Sequence, residues 1–383
     1  MQQSDDLNED GHEHGRFMSR ALELARRGLY TTDPNPRVGC VLVRNGDIVG
    51  EGWHERAGEA HAEVNAIRTA GDRAAGATAY VSLEPCCHRG RTGPCTEALM
   101  AAGVRRVVAA MADPDPRTAG QGLETLRGAG IEVLCGLLED QARDLNAGFV
   151  MRHTRGRPYV RIKMAASLDG RTAMAGGESK WITGAAARRD VQRLRARSSA
   201  VLTGIGTLLA DDPALTIRAA ELGEDIRFRQ PLRVVVDRRL RTPVNASVLR
   251  QAGTTLIAAH SDHCHDEDAH QALMDAGAQI LSFGDGDRGG ELAALMAALA
   301  ERGINEVLVE AGATLAGALL GEALVDEIVL YAAPVLLGDT ARGLFHLPHI
   351  RTLAQGVALD VIDVRPVGED WRITARVGAV NSS

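Results

Sequence analysis

The chain has 383 residues, 45% hydrophobic and 24% charged, with a formal net charge of −7. That length exceeds one ordinary hydrophobic core and predicts two domains, while the negative balance supplies no basic field for a nucleic-acid polyanion. No apolar run approaches the length of a bilayer span, and residues 1–11 are acidic and polar rather than basic then apolar, so a cytoplasmic protein without a signal peptide is expected.

In chain order, a polar start holding His12 and His14 is expected to be disordered, and residues 16–28 carry helical periodicity. Residues 38–43 and 48–49 predict a hairpin around Asn45-Gly46, a strong turn signal. A helix over 61–70 follows, then strands at 80–83, 107–110 and 131–134 with helices at 96–102 and 120–129 between them. This is a helix-flanked, mixed sheet. Two segments within it carry chemistry: His61-Ala62-Glu63, and Pro85-Cys86-Cys87-His88-Arg89-Gly90-Arg91-Thr92-Gly93-Pro94-Cys95.

One imidazole and two thiolates, His61, Cys86 and Cys95, make a three-ligand zinc site with an open fourth position, the arrangement of a catalytic zinc. Water held there titrates near neutral pH and becomes a nucleophile, while Glu63, not itself a ligand, carries protons to a leaving amine. H-x-E alone is weak, because a chain with 12 histidines holds such a triplet by chance. The cysteines supply the weight. Pro85-Cys86 follows a strand-like run, and Pro94-Cys95 opens a helix, whose N-terminus favours proline and stabilises a thiolate. H-x-E followed by Pro-Cys and a second Cys is the signature of zinc-dependent nucleobase deaminases. The gap to Cys95 is longer than the usual C-x-x-C, and Cys87 competes for the metal; Cys86 is preferred because it directly follows Pro85. A structural zinc knuckle or unrelated buried cysteines are the alternatives. The other cysteines, among them Cys40, Cys135 and Cys264, are too scattered for a disulfide framework.

The charged, Gly- and Pro-containing stretch 152–158 suits an exposed domain boundary. Beyond it, a strand at 159–164 and a basic amphipathic helix at 185–197 precede strands at 200–203, 233–236, 255–258, 279–282, 306–309 and 327–331. The pair near 357–364 and 371–377 reads as antiparallel. No G-x-G-x-x-G follows a strand and no Walker motif occurs, which disfavours a Rossmann dinucleotide fold. The small residues Gly312 to Gly317, between a strand and a helix, could bring backbone N–H groups onto a phosphate or be an ordinary capped turn. The His- and Asp-rich run 260–270 reads as a solvated loop rather than a second metal site.

These motifs resemble the bifunctional riboflavin-biosynthesis deaminase–reductase family. Its long insert P-C-x-H-x-G-[RK]-T-P-P-C is matched by residues 85–95 with a departure only at Gly93, and Asn35-Pro36-Arg37-Val38-Gly39, Gly52-Trp53-His54, Ala166-Ser167-Leu168-Asp169-Gly170-Arg171-Thr172, Asp211-Asp212-Pro213-Ala214-Leu215-Thr216 and Glu310-Ala311-Gly312-Ala313-Thr314-Leu315-Ala316-Gly317 match further motifs across nearly the whole chain. The resemblance implies an α/β protein, with an N-terminal cytidine-deaminase-like three-layer domain over 1–150 and a C-terminal dihydrofolate-reductase-like domain over 157–383, using Zn2+ and NADPH. It implies that Ala165, Trp181, Thr207, Asp211, Gly312, Ala313, Thr314, Leu315, Ala316, Gly317 and Ala318 line the cofactor. It further implies that Ser179, Arg195, Leu215, Arg218 and Glu310 hold the substrate, with Lys163 near the opening sugar, and that Asn35, His54 and Arg91 contact the pyrimidine in the deaminase half. Arg195 and Arg218 suit bidentate bonds to the substrate phosphate. For the NADPH 2′-phosphate, Arg238 and Arg239 just past the strand 234–236 are the local candidates, provided Asp237 turns away.

The reading is therefore a zinc-dependent pyrimidine deaminase, a hydrolase, joined to an NADPH-dependent reductase, an oxidoreductase. Its partner is a small pyrimidine nucleotide rather than a nucleic acid or a membrane, and a homo-oligomer is compatible with it. Two other readings stand beside this one: a nucleoside or tRNA deaminase with a non-catalytic nucleotide-binding domain, and a zinc-stabilised regulator in which Glu63 has no chemical task.

Overall fold

Gly156, at a φ of +65°, ends a helix running through Arg155 and marks where the chain divides into two units, Met1–Arg155 and Gly156–Ser383. The structure, a computed structural model, describes residues 2–89, 93–223, 226–263, 266–284 and 290–378.

The first unit runs α1 (Gln2–Arg26), β1 (Gly39–Arg44), β2 (Asp47–Trp53), α2 (Ala62–Ala70), β3 (Thr78–Val81), α3 (Cys95–Ala101), β4 (Arg106–Ala109), α4 (Gln121–Gly128), β5 (Glu132–Cys135), α5 (Glu139–Leu145) and α6 (Ala147–Arg155). Its sheet has the order β2-β1-β3-β4-β5, antiparallel on either side of β1 and parallel from β3 to β5. Alternation along β1 sorts the core. Cys40 and Leu42 pack with Ala62, Ala66, Leu99 and Leu126, whereas Val41 and Val43 pack with Phe17, Met18, Leu22 and Phe149. Helices thus cover both faces, the three-layer architecture expected. The polar start is helical rather than disordered: α1 begins at Gln2, and His14 Nδ1 lies 2.6 Å from the Tyr80 hydroxyl. The 152–158 boundary is not a free loop either, because α6 occupies its first part and Arg157 binds both oxygens of Asp326 at 2.7 Å.

The second unit runs β6 (Tyr159–Ser167), β7 (Arg171–Ala173), α7 (Ala185–Arg197), β8 (Ala200–Gly204), α8 (Ile205–Asp211), α9 (Ala219–Leu222), β9 (Leu232–Val236), α10 (Ser247–Arg250), β10 (Thr255–His260), α11 (Glu267–Asp275), β11 (Ala278–Phe283), α12 (Glu291–Glu301), β12 (Glu306–Val309), α13 (Ala313–Gly321), β13 (Glu327–Ala333), β14 (Arg342–Gly343), β15 (Leu359–Val367) and β16 (Asp370–Val377). Nine strands form one sheet in the order β11-β10-β9-β8-β12-β6-β13-β16-β15, parallel from β11 to β13 and antiparallel beyond; β7 and β14 make a small second sheet. The parallel strands read as near-continuous apolar runs because both faces are buried, against α12 and α13 on one side and α7 on the other.

Residues 260–270 are not the solvated loop expected. His260 closes β10 in a buried position, and the Asp266 carboxylate accepts from the Ala269 N–H to cap α11. Cys264 and His265 lie outside the described residues.

Candidate active site

In the first unit, His61 is the N-cap of α2 with an extended backbone, and Cys95 is the first residue of α3, behind Pro94 at the N-cap. His61 Nδ1 lies 3.2 Å from Cys95 Sγ and 3.5 Å from Cys86 Sγ, and the Cys95 backbone N–H donates to Cys86 Sγ at 3.4 Å. The three donor atoms all fall within 4.8 Å of one another. One nitrogen and two soft sulfurs converging in this way fit zinc. Cys87 points elsewhere, its thiol toward the Arg117 carbonyl at 4.0 Å. Close docking of α2 on the β1–β2 hairpin aims His61: a Cβ at Gly52 would sit 2.4 Å from the Ala62 carbonyl.

Glu63, in the first turn of α2, is buried and hydrogen-bonds the Cys95 thiol. Burial lifts its carboxyl to about 7, with Cys86 reinforcing the rise. The Cys86 thiol is held well below the ordinary range by a hydrogen bond with Cys95, against its own burial and with help from His61. Asn35 and His54 stand beside this centre. The Asn35 amide donates to His54 Nε2 at 3.1 Å, and His54 Nδ1 donates to the Ala60 carbonyl at 3.1 Å. Burial lowers the His54 pKa, so its ring stays neutral, 5.3 Å from His61 in an edge-on arrangement. Arg91 lies outside the described residues.

Two residues that motif reading passed over organise this site. Glu84, immediately before Pro85-Cys86, is buried, and its carboxylate accepts four backbone N–H groups: Asp113 and Gly120 at 2.9 Å on one oxygen, Gly122 at 2.9 Å and Leu123 at 3.2 Å on the other. Gly122 presses on the same segment, since a Cβ there would lie 2.1 Å from the Pro85 carbonyl. Asn146 clamps the Asn35 loop, accepting from the Arg37 N–H at 2.8 Å and donating to the Arg37 carbonyl at 3.0 Å. For Glu84 a signal did exist: a carboxylate at the end of an apolar strand needs buried donors.

In the second unit the candidate residues gather at the C-terminal ends of β6, β8 and β12. Arg195 Nε and Nη2 grip Glu310 at 2.6 and 3.0 Å, Arg195 Nη1 donates to the Thr216 carbonyl at 2.7 Å, and Lys163 Nζ lies 3.4 Å from Glu310. Thr207, on α8, accepts from the Gly312 N–H at 3.2 Å, and Thr203 donates to the Glu310 carbonyl at 2.8 Å. Gly312 is the N-cap of α13. Ala165 lies on β6, Asp211 is exposed at the end of α8, and Ser179 is half-buried between β7 and α7. Trp181 is exposed, with the Arg188 guanidinium 4.6 Å from its ring centre.

Several expectations change here. Arg195 does not hold its fork open for a phosphate, because Glu310 fills it, and Arg218 is likewise turned onto Glu221 at 2.7 and 3.0 Å. The Leu215 side chain is buried in the core beside Leu308 and Val201, and its backbone has a φ of +52°. A substrate can therefore meet only its main chain. Ala316 and Gly317 face inward, and a Cβ at Gly317 would lie 2.1 Å from the His346 carbonyl, so neither is open to a ligand. At the end of β9, Asp237 is buried and accepts from the Thr242 N–H and hydroxyl at 2.7 and 2.8 Å, while Arg238 pairs with Glu291 at 3.0 Å and Arg239 is exposed.

A His-Cys-Cys donor set with a buried glutamate beside it, on a three-layer unit, has the make-up of a zinc-dependent hydrolytic deaminase, and it is joined to a second α/β unit with a polar cluster at the carboxyl ends of its parallel strands. Residues 12–111 match the model of the cytidine and deoxycytidylate deaminase zinc-binding region, and residues 158–373 match that of the RibD C-terminal domain. The chain belongs to the RibD family of riboflavin biosynthesis proteins. It is 52% identical over 362 residues to riboflavin biosynthesis protein RibD of Escherichia coli strain K12, covering 92% of this chain and 96% of that one. Against the Haemophilus influenzae RibD the identity is 48% over 366 residues, covering 94% and 96%. Among solved structures, Acinetobacter baumannii RibD superposes with a TM-score of 0.88 at 45% identity, covering 96% of this chain and all 100% of that one. A diaminohydroxyphosphoribosylaminopyrimidine deaminase/5-amino-6-(5-phosphoribosylamino)uracil reductase from Thermotoga maritima superposes with a TM-score of 0.83 at 32% identity, covering 96% and 100%. The family is bifunctional, with Zn2+ serving the deaminase and NADPH the reductase.

Proposed function

We propose that residues 1–150 deaminate 2,5-diamino-6-ribosylamino-4(3H)-pyrimidinone 5′-phosphate, and that residues 157–383 reduce the ribosyl chain of the product to give 5-amino-6-(5-phosphoribitylamino)uracil, the pair of activities carried in the name of the Thermotoga relative. The observation that carries this reading is the convergence of His61, Cys86 and Cys95 with Glu63 buried beside them and outside the donor set. Bound zinc supplies a Lewis acid that activates water, and NADPH supplies a hydride.

Glu63 takes the proton released from the attacking water and returns it to the departing amine; its enclosure keeps bulk water from competing. Asn35, with one amide hydrogen committed to His54, keeps its carbonyl oxygen and second N–H for the pyrimidine edge. In the reductase half, Lys163 faces the opening sugar, Glu310 accepts hydrogen bonds from the substrate, and Arg195 holds Glu310 ionised. Arg218, paired only at the surface, exchanges Glu221 for the substrate phosphate. The first turn of α13, with Thr207 beside it, cradles the cofactor, together with Ala165, Trp181 and Asp211. The reading includes no nucleic acid, in keeping with the charge of −7, and places the protein in the cytoplasm. No helix among the described residues is long and apolar enough to cross a membrane.

Glu63→Gln tests the assignment. Ammonia release from the pyrimidine is expected to fall by roughly a hundredfold or more, while stoichiometric zinc and NADPH oxidation with the deaminated product persist. Loss of the metal from that variant would remove Glu63 from its proposed role.

A further inference from the structure

After β13 the chain runs as a strap, residues 334–346, from the end of that strand to the start of the helix after β12. β6 stands between β13 and β12 in the sheet, so the strap passes the end of the strand that carries Lys163 and Ala165. Its first residues follow Ala333, which opposes Ser167 of β6, and the Leu168 N–H donates to the Val335 carbonyl at 2.9 Å. Its middle holds β14, paired with β7. Its far end lies on α13.

Asp169, in the turn between β6 and β7, makes the first tie. Its carboxylate accepts the Gly338 N–H at 2.8 Å, the Leu337 N–H at 3.1 and 3.2 Å on its two oxygens, and the Ser167 hydroxyl at 2.5 Å. The same hydroxyl oxygen accepts the Arg171 N–H at 3.0 Å, which closes the turn on itself. The Ser167 hydroxyl and the two strap N–H groups hold the Asp169 carboxyl down to about 2, so at neutral pH it is an anion. Among the described residues no cation pairs with it, and its charge is spent on these hydrogen bonds, which charge assistance strengthens. The second tie is to α13. The His346 N–H donates to the Ala313 carbonyl at 3.0 Å, and a Cβ at Gly317, one turn on, would lie 2.1 Å from the His346 carbonyl. Leu344, Phe345 and Leu347 pack against the core on either side of His346. Backbone meets backbone there with no flexible side chain to absorb a displacement, so a shift of the strap moves the helix.

We propose that Asp169 is a positioning residue for the reductase: by fixing the strap at Leu337 and Gly338 it fixes, through the main chain of His346, the first turn of α13 on which a phosphate of NADPH lies. This rests on the reading that the first turn of α13 cradles the cofactor. Asp169 itself faces the strap and acts only through it.

The test is steady-state NADPH oxidation by the full-length, zinc-loaded protein supplied with the deaminated pyrimidine, with ammonia release as the check on the first unit. Asp169→Ala is expected to raise KM for NADPH about tenfold or more and to leave kcat within about twofold. Asp169→Asn is expected to restore the wild-type KM, since its amide oxygen accepts both strap N–H groups while its NH2 turns to the Ser167 oxygen. Gly317→Ala, at the other tie, is expected to raise KM for NADPH in the same way. The double variant Asp169→Ala, Gly317→Ala is expected to be no worse than the worse single one, because both release one segment. Thr314→Asp tests the underlying reading separately: Thr314 is exposed in the first turn of α13, where an acid favours the helix but repels a phosphate, so KM for NADPH is expected to rise. An unchanged KM in Thr314→Asp would overturn the placement of the cofactor, and the proposal with it. With Thr314→Asp impaired, a wild-type KM in Asp169→Ala or in Gly317→Ala, an Asn variant as poor as the Ala variant, or a loss confined to kcat would overturn the clamp alone.

Discussion

Arg195 and Glu310 meet fork to fork, Nε 2.6 Å from Oε1 and Nη2 3.0 Å from Oε2, at the carboxyl edge of the second unit's sheet. Burial pushes the Glu310 carboxyl up, but Arg195 and Lys163 together override it and hold the group down to about 2. A carboxylate depressed in the folded state contributes stability that is present above its unfolded pKa and is lost as pH falls through the folded value. The second unit is therefore expected to lose on the order of 3 kcal/mol between about pH 5 and pH 2 from this group. Glu310→Gln should lower the melting temperature at pH 7, because it leaves Arg195 buried without its anion, and should flatten the acid dependence. Melting curves of wild type and variant that run parallel from pH 5 to pH 3 would show that the pair does not set the acid limit.

The four N–H groups on Glu84 predict an effect on the metal through the Cys86 segment rather than through any contact with it. Glu84→Gln turns one acceptor oxygen into a donor that faces two backbone N–H groups, which costs about 1–3 kcal/mol. Zinc should then be stripped faster by a chelator and deamination reduced, with NADPH oxidation unchanged. Chelator kinetics equal to those of the wild type would confine Glu84 to a general stabilising role.

Cys86 and Cys87 are neighbours whose thiols turn to different partners, Cys86 joining His61 and Cys95 and Cys87 facing the Arg117 carbonyl. Cys86→Ser is expected to lose both bound zinc and ammonia release, and Cys87→Ser to keep both. Metal analysis of the two purified variants decides the matter, and the reverse result reassigns the ligand.

Arg238 and Arg239 stand past the end of β9 with Asp237 turned into the Thr242 loop, the orientation that leaves an anion room. Replacing both arginines by alanine is expected to raise KM for NADPH tenfold or more, about 1.4 kcal/mol, with NADH kinetics and deamination nearly untouched. Equal weakening for both nicotinamide cofactors would mean that these residues support the fold, as the Arg238–Glu291 pair also could.

Local chemistry was the part of this protein legible in its sequence. The Asn45-Gly46 turn, the proline-led start of α3 and the helix 185–197 follow from short-range backbone preferences, and the residue types of a zinc site announce themselves because few side chains can bind the ion. Partner choice was not legible. That Glu310 fills the fork of Arg195, and that Leu215 and Gly317 face the core, are decisions made between segments far apart in the chain. Strand order and helix docking bring those segments together, and a buried charge or a close backbone contact then admits one arrangement because every alternative leaves a polar group unpaired or a Cβ inside a carbonyl. Only the tertiary structure could make those choices, since their energies do not exist until the sheet has closed around them.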